Sequence, residues 1–284
     1  LAVSPNGSEK IGGIAADASL STNGQSATFV YVDGTEGWIN VQETQTSQTG
    51  EPPYIIATGG TITCCGNFKV HTFTSPGTFT VCNVSSTAAN NTIGYQVVAG
   101  GAGGGQNDGG GGGAGGYREG KNAPVDNFTA SPLVASAPTN AVTVTATAYP
   151  IDVGGGGAKA PSPSTNACSG SNSTFSTITA TGGGGGASET GARNGVAGGS
   201  GGGGGAGGGT SGSGGAGNTP STTPAQGSTG GNGPGGGSPI TPGSRAGGGG
   251  GGQNNHAGGA GGSGIVVIKE TIPKCASGRW SIND

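Results

Sequence analysis

The run Gly115-Gly-Tyr-Arg-Glu-Gly-Lys121 nearly spells a phosphate-binding loop, in which backbone N–H groups cradle a phosphate and a lysine reaches it. It breaks at Asn122, where a hydroxyl should ligate Mg²⁺, and no strand–helix pair is legible around it. G-x-G-x-x-G recurs throughout a chain with 71 glycines and carries no information. Glycoside hydrolysis needs two carboxyl groups converging on a cleft, whereas Asp108, Glu119 and Asp126 are scattered in polar stretches. The two histidines lack carboxylate or cysteine neighbours at catalytic spacing. His71 reads as a strand residue; His256, in Gln253-Asn254-Asn255-His256 between glycine blocks, reads as an exposed loop residue. Cys64, Cys65, Cys82, Cys168 and Cys275 are odd in number and include an adjacent pair, a poor disulfide framework. Cys64 or Cys65 reaches Cys82 if their strands pair as a hairpin; otherwise they are small thiols in strands. CxxC-type metal spacing is missing, and the Asn-X-Ser/Thr sequons at Asn6, Asn83, Asn90, Asn127 and Asn172 matter only in a eukaryotic secreted protein. These residues predict no enzyme, no cofactor and no metal.

Composition narrows the class further. Of 284 residues, 30% are hydrophobic, 5% aromatic and 8% charged, so a conventional core forms only at the two ends, where aliphatic and aromatic residues gather. The net charge of −3 leaves no basic patch for nucleic acid, and no apolar run approaches the ~20 residues of a membrane span. The chain opens on Leu1 and contains no methionine, the expectation for a processed chain or a fragment.

Most glycines lie in residues 100–263, in blocks that alternate with inserts of Ser, Thr, Asn and Pro. One reading is a flexible linker, because glycine has the most backbone freedom to lose and nothing to bury. The other is a lattice of left-handed, three-residue-per-turn helices of polyproline II type. Such helices make no internal hydrogen bonds, so their N–H and C=O groups are free to bond neighbouring strands. Glycine suits the lattice because it lets backbones approach closely while keeping the donor that proline lacks. Residues 197–209, taken as one strand at ~3.1 Å per residue, would run roughly 40 Å. No Gly-X-Y period exists, which excludes collagen. Inserts that retain Tyr117, Phe175, Ile178, Val196 and Ile240 favour order over a plain linker.

Around this region the chain reads as all-β, with essentially no α-helix. Residues 1–45 form a short β module: Phe29 and Tyr31 alternate with Val30 and Val32, Trp38 follows, and turns fall at Gly24 and Gly34. So small a module gains from association, with Phe29, Tyr31 and Trp38 as shared core. A linker over residues 46–53 leads to a β-sheet domain at 54–99, in which Pro76-Gly77 suits a type II turn. Tyr95 to Val98 and Ile265 to Ile268 belong in one sheet, so residues 264–270 complete that domain and the glycine region is an excursion from it. Further strands are expected at 141–146 and 175–180. Residues 271–284 form a tail carrying Trp280.

The motifs Phe68-Lys-Val-His-Thr-Phe-Thr-Ser-Pro-Gly-Thr-Phe-Thr-Val81, Tyr95-Gln-Val-Val-Ala-Gly-Gly and Gly261-Gly-Ser-Gly-Ile-Val-Val-Ile268 resemble the glycine-rich structural proteins of marine tailed bacteriophages. The order and spacing are similar over nearly the whole chain. The N-terminal Phe29-Val-Tyr-Val-Asp-Gly-Thr-Glu-Gly-Trp38 is similar to β modules of trimeric phage fibres, and the glycine blocks resemble the polyglycine-II sandwich of phage adhesins by composition. The resemblance implies a virion appendage, a tail fibre or its tip, from a phage of cyanobacteria or another marine bacterium. Expected partners are further copies of the chain (a trimer favoured), other virion proteins, and a bacterial surface glycan or outer-membrane component. Receptor-contact candidates in the inserts are Tyr117, Arg118, Glu119, Arg193, Gln226, Arg245, Gln253, Asn254, Asn255 and His256. Contacts between copies would use Phe29, Tyr31, Trp38, Ile265, Val267 and Trp280. The other reading is a self-assembling extracellular filament, joined by strand addition through residues 265–268.

Overall fold

A computed structural model of the chain describes residues 2–19, 26–44, 54–85, 87–122, 126, 141–191, 193–207, 209–234 and 256–272. The chain divides into two units, Leu1–Pro53 and Tyr54–Asp284.

In the first unit, β1 (Ala2–Val3) pairs with β2 (Ala18–Ser19), and β3 (Ser26–Asp33) forms a hairpin with β4 (Gly37–Thr44). The Asp33 carboxylate caps the turn, accepting from the Glu36 N–H at 2.8 Å and the Thr35 N–H at 2.7 Å. Those two bonds hold its ionisation below the usual carboxylate range. The positive φ falls at Gly37 (71°) rather than at Gly34, because the chain turns where a Cβ would strike the Lys10 carbonyl. Trp38 stacks edge-on with Tyr31 at 5.5 Å and donates its Nε1–H to Glu9 Oε2 at 2.9 Å. No described apolar side chain of this unit is fully buried; Val30, Val32 and Val41 are exposed.

The second unit is built on a sandwich of two antiparallel sheets. Its strands are β5 (Ile56–Thr58), β6 (Thr61–Cys65), β7 (Phe68–Phe73), β8 (Gly77–Asn83), β9 (Thr92–Val98), β10 (Tyr117–Gly120), β11 (Val142–Thr143), β12 (Ala148–Asp152), β13 (Ser173–Phe175), β14 (Ile178–Ala180), β15 (Ala206–Gly207), β16 (Thr210–Ser211) and β17 (Ile265–Thr271). One sheet has the order β10-β9-β17-β7-β6, with β11 also on β9; the other is β14-β13-β12-β8-β5. The only helical turn among the described residues is the 3₁₀ turn Ala88–Asn91. β9 and β17 pair from Val98–Ile265 to Gly94–Lys269, so the chain leaves and re-enters the sandwich on neighbouring strands. The inner faces supply Phe79, Phe175, Ile93, Ile151, Val266 and Ile268, all essentially inaccessible.

Several expectations are corrected here. The Pro76-Gly77 turn carries the chain from one sheet to the other, so β7 and β8 do not pair, and β6 lies in a different sheet from β8. Cys64 and Cys65 therefore face no Cys82; all three are free and exposed. β17 is flanked on both sides, by β7 and β9, so residues 265–268 offer no edge for strand addition. Ile265 and Val267 alternate with the core residues and lie half-buried on the outer face. The stretch 175–180 is a hairpin, broken where Ser176 takes φ 54°. β12 contains Pro150 yet lies between β8 and β13; a proline there masks the strand in the sequence.

A charged cluster sits within the sandwich. His71 and Glu270 are inaccessible, with His71 Nδ1 2.7 Å from the Gly59 carbonyl and Nε2 3.1 Å from Glu270 Oε1. Lys69 lies 2.5 Å from the same carboxylate oxygen and also donates to the Ala57 carbonyl at 3.0 Å. Burial pulls the His71 ring below its ordinary ionisation, opposed by the Gly59 hydrogen bond. The cluster ties β7 and β17 to the backbone around β5.

Residues 99–105 leave β9 and donate their backbone hydrogen bonds in three directions by turns. Ala99, Ala102 and Gly105 bond to Gly116, Gly113 and Gly110; Gly100 and Gly103 to Ser171 and Cys168; Gly101 and Gly104 to Gly262 and Gly259. The same alternation governs residues 200–206: Ser200, Gly203 and Ala206 reach Ala114, Gly111 and Asp108, Gly201 and Gly204 reach Ser228 and Gly231, and Gly202 and Gly205 reach Val196 and Arg193. The run 197–209 is not one strand. Gly199 bonds to Gly182 on the way in and Ser200 to Ala114 on the way out, so the chain reverses between them.

Glycine is required by close approach. A Cβ at Gly103, Gly183 or Gly201 would overlap the carbonyl oxygen of Ala158, Gly113 or Gly215, whereas one at Gly155 or Gly262 meets nothing. Near the sandwich, Gln226 acts as a clasp. It is 1% exposed; its Oε1 accepts from the Thr181 N–H at 2.8 Å, its Nε2 donates to the Pro220 carbonyl at 3.0 Å, and its carbonyl accepts from Tyr117 N–H. The sequence expectation of an exposed contact residue is therefore corrected, because every polar group of its side chain is used internally.

Two outcomes follow for stability. Gly201→Ala is expected to lower unfolding free energy by roughly 1–3 kcal/mol through overpacking, while Gly262→Ala leaves it unchanged or raises it by about 0.4–1 kcal/mol; denaturant midpoints of the two variants compare them directly. Gln226→Ala removes the partner of the half-buried Thr181 N–H, at about 1–3 kcal/mol, while the Pro220 carbonyl, on an exposed residue, turns to water. Its signature is accelerated amide exchange at Thr181 ahead of Gly183 and Gly186.

Candidate functional site

The hydrogen-bond partners establish which loops share an end. Residues 99–105 run out from β9 and 109–116 return to β10; 153–160 run out from β12 and 167–172 return to β13; 181–188 run out from β14. The connections at 106–108, 161–166, 189–191 with 193–194, and around β15–β16 thus lie at the end of the glycine-rich body remote from the sandwich. Residues 256–264 return to β17, and the His256 carbonyl accepts from the Asn107 N–H at 3.2 Å, which puts His256 at this same far end.

The far-end loops are bonded to one another. Asn107, in the left-handed region at φ 44°, donates through Nδ2 to Glu189 Oε2 at 3.2 Å. The Gln106 N–H donates to Ser188 Oγ at 2.9 Å, and Ser188 Oγ–H donates to the Thr165 carbonyl at 2.7 Å. Thr190 N–H donates to the Pro163 carbonyl, and Asn166 Nδ2 to the Asn194 carbonyl at 2.9 Å. Arg193 donates through Nε to the Glu189 carbonyl at 2.8 Å and through Nη1 to Thr210 Oγ1. The Gln106 Oε1 is buried and has no hydrogen-bond partner among the described residues. The result is a braced surface of amides and hydroxyls with a guanidinium at its edge. Among the described residues no group of three or more His, Cys, Asp or Glu is placed to hold a metal.

The residues singled out from the sequence separate into two places. Arg193 and His256 lie at the far end, His256 exposed and Arg193 half-buried. Tyr117, Arg118 and Glu119 do not form a loop: they are β10, paired with β9 at Val98, Val97 and Gln96, at the sandwich end. The Tyr117 hydroxyl accepts from Gln96 Nε2 at 3.2 Å, and burial raises its ionisation. Arg118 donates to the Pro224 carbonyl at 3.3 Å, so the insert containing Gln226 also belongs to the sandwich end. Asp126 is buried, accepts from the Asn122 N–H at 2.7 Å and pairs with Lys269 at 2.5 Å. Arg245, Gln253, Asn254, Asn255, Trp280 and Cys275 lie outside the described residues. Sequence reasoning missed 106–108 and 161–166. Their signal was present, since each is a polar interruption between glycine-containing runs.

The family model for a glycine-rich domain matches residues 74–270, from the approach to β8 through most of β17. No curated protein matches the chain. Since the matched region spans well over half of the 284 residues and takes in both the sandwich strands and the glycine segments that leave them, the chain belongs to the glycine-rich domain family.

Proposed function

We propose that the chain is a non-enzymatic bacteriophage virion appendage, a tail fibre or adhesin, whose glycine segments form a polyglycine-II-type lattice that carries polar loops toward a bacterial surface. The observation that carries this reading is the gathering of residues 106–108, 161–166, 189–191, 193–194 and His256 at the end remote from the sandwich. A lattice of this kind accounts for the threefold alternation of donors and for carbonyl oxygens lying where a Cβ would stand. The resemblance of the motifs around Phe68 to Val81 and Gly261 to Ile268 to marine phage structural proteins supports a virion location.

The chemistry of the far end suits a hydroxyl-rich ligand. Ser164, Thr165 and Thr190 are exposed there, and a hydroxyl both donates and accepts, so the partner is a bacterial cell-surface glycan or a glycan-bearing outer-membrane component. The first unit serves attachment to other virion proteins and association of copies, a trimer being favoured. Its exposed valines, and the absence of a fully buried apolar side chain among its described residues, support association.

The test uses the purified chain on a panel of marine bacteria. Labelled protein is expected to decorate the surface of a susceptible strain and to slow phage adsorption to it. Replacing residues 161–166 and 189–194 with Gly-Ser sequences is expected to abolish both effects while amide exchange over 99–105 stays slow. Equal decoration by the replaced chain, or no strain decorated by the native one, overturns the reading.

A further inference from the structure

Among the described residues β6 is the last strand of its sheet, and all five of its residues are exposed. It pairs with β7 from Thr61–Thr72 to Cys65–Phe68 without a register shift. Its other edge therefore presents a row of backbone donors and acceptors. Natural edge strands are normally protected by charge, proline, a bulge or a cover. Thr61-Ile62-Thr63-Cys64-Cys65 has no charge and no proline, the ladder has no bulge, and Ile62 is 45% exposed.

From this strand we infer that two copies of the chain join edge to edge, β6 antiparallel to β6 and centred on Thr63. Full overlap in that register places Thr63 opposite Thr63, Ile62 opposite Cys64 and Thr61 opposite Cys65 of the second copy. Side chains alternate between faces, so Ile62 and Cys64 of both copies meet on one face as an apolar group of four. Ile62 stands opposite His71 and Cys64 opposite Lys69 in the β6–β7 ladder. That group therefore continues the face of the sheet that bears the buried cluster. On the other face the central threonines meet as a hydroxyl pair, a favourable cross-strand combination.

The occupant is a second copy because the strand complements itself. An isologous pairing brings each residue against its own mirror position, and like charges there would be repulsive; β6 has none. A foreign strand recognised by charge would need a charged edge, and β6 offers nothing of the kind. β17, the strand that the sequence offers for such addition, has both edges occupied within one copy.

The experiment is sedimentation velocity on the whole chain under reducing conditions, with Thr63→Lys, Thr63→Glu and their equimolar mixture. Thr63 is exposed, so both variants should keep the native unfolding midpoint. Each alone is expected to associate roughly fivefold or more weakly than the native chain, and the mixture to recover association as opposite charges meet. Unchanged association of either variant, or a native chain that goes no further than a monomer or a trimer held by its first unit, overturns the inference. A second measurement is independent of the charge series: a variant retaining only Cys64 is treated with a short bismaleimide. It should form a cross-linked pair, and a variant retaining only Cys168 should not. Equal cross-linking of the two also overturns the inference.

Discussion

A main-chain hydrogen bond that must find its partner on a different neighbour at each successive residue is the constraint on which the glycine-rich body depends. In a β-sheet a strand bonds to two neighbours in one plane, and its side chains fill the space above and below. Here the donors of residues 99–105 visit three neighbours in rotation, and further neighbours approach from other sides to donate to their carbonyls. At most positions little room is left for side chains. Where Ala102 and Ala187 do occur, their methyl groups are fully buried, so small residues are admitted at particular points of the array and larger ones are kept to its rim and ends.

Such an array is expensive to nucleate. Ordering the backbone costs ~1–2 kcal/mol per residue, and a net hydrogen bond returns only about 1 kcal/mol. The sandwich offsets this by fixing the first and last residue of many segments. Ser173 shows the coupling at one atom: its hydroxyl donates to the Val98 carbonyl at 2.8 Å and accepts from Gly154 N–H at 2.9 Å, joining β13, the end of β9 and the segment leaving β12. A Cβ at Gly264 would run into that carbonyl and crowd Ser173 Oγ, so the returning segment also ends on it.

The all-β class, the shared sheet of Tyr95 to Val98 with Ile265 to Ile268, and the excursion between them were legible because apolar alternation marks strands and ceases where glycine begins. Pairing was less legible. Pro76-Gly77 is good turn chemistry for a hairpin and equally good for a passage between sheets, and only the inward packing of both Phe73 and Phe79 distinguishes them. Pro150 concealed β12 because its missing donor argues against an internal strand. The site was half legible. Polar inserts announce loops, but nothing local says at which end of the body a loop emerges; that depends on how many residues separate successive reversals. Gln226 shows the consequence: an amide in a Pro/Thr-rich insert looks solvent-facing until Thr181, distant in sequence, is seen to need its oxygen.

An interior of peptide groups rather than hydrocarbon also sets how the body responds to temperature. Apolar surface raises heat capacity on exposure, by ~0.45 cal/K/mol/Å², and polar surface lowers it, by ~0.26. Melting the glycine segments exposes mainly amides and Cα hydrogens, so the two contributions oppose each other and the net increment per residue is small. Its stability curve is therefore flatter than that of the sandwich. Chilling, which weakens oil-like cores, leaves a body held by amide pairs largely untouched.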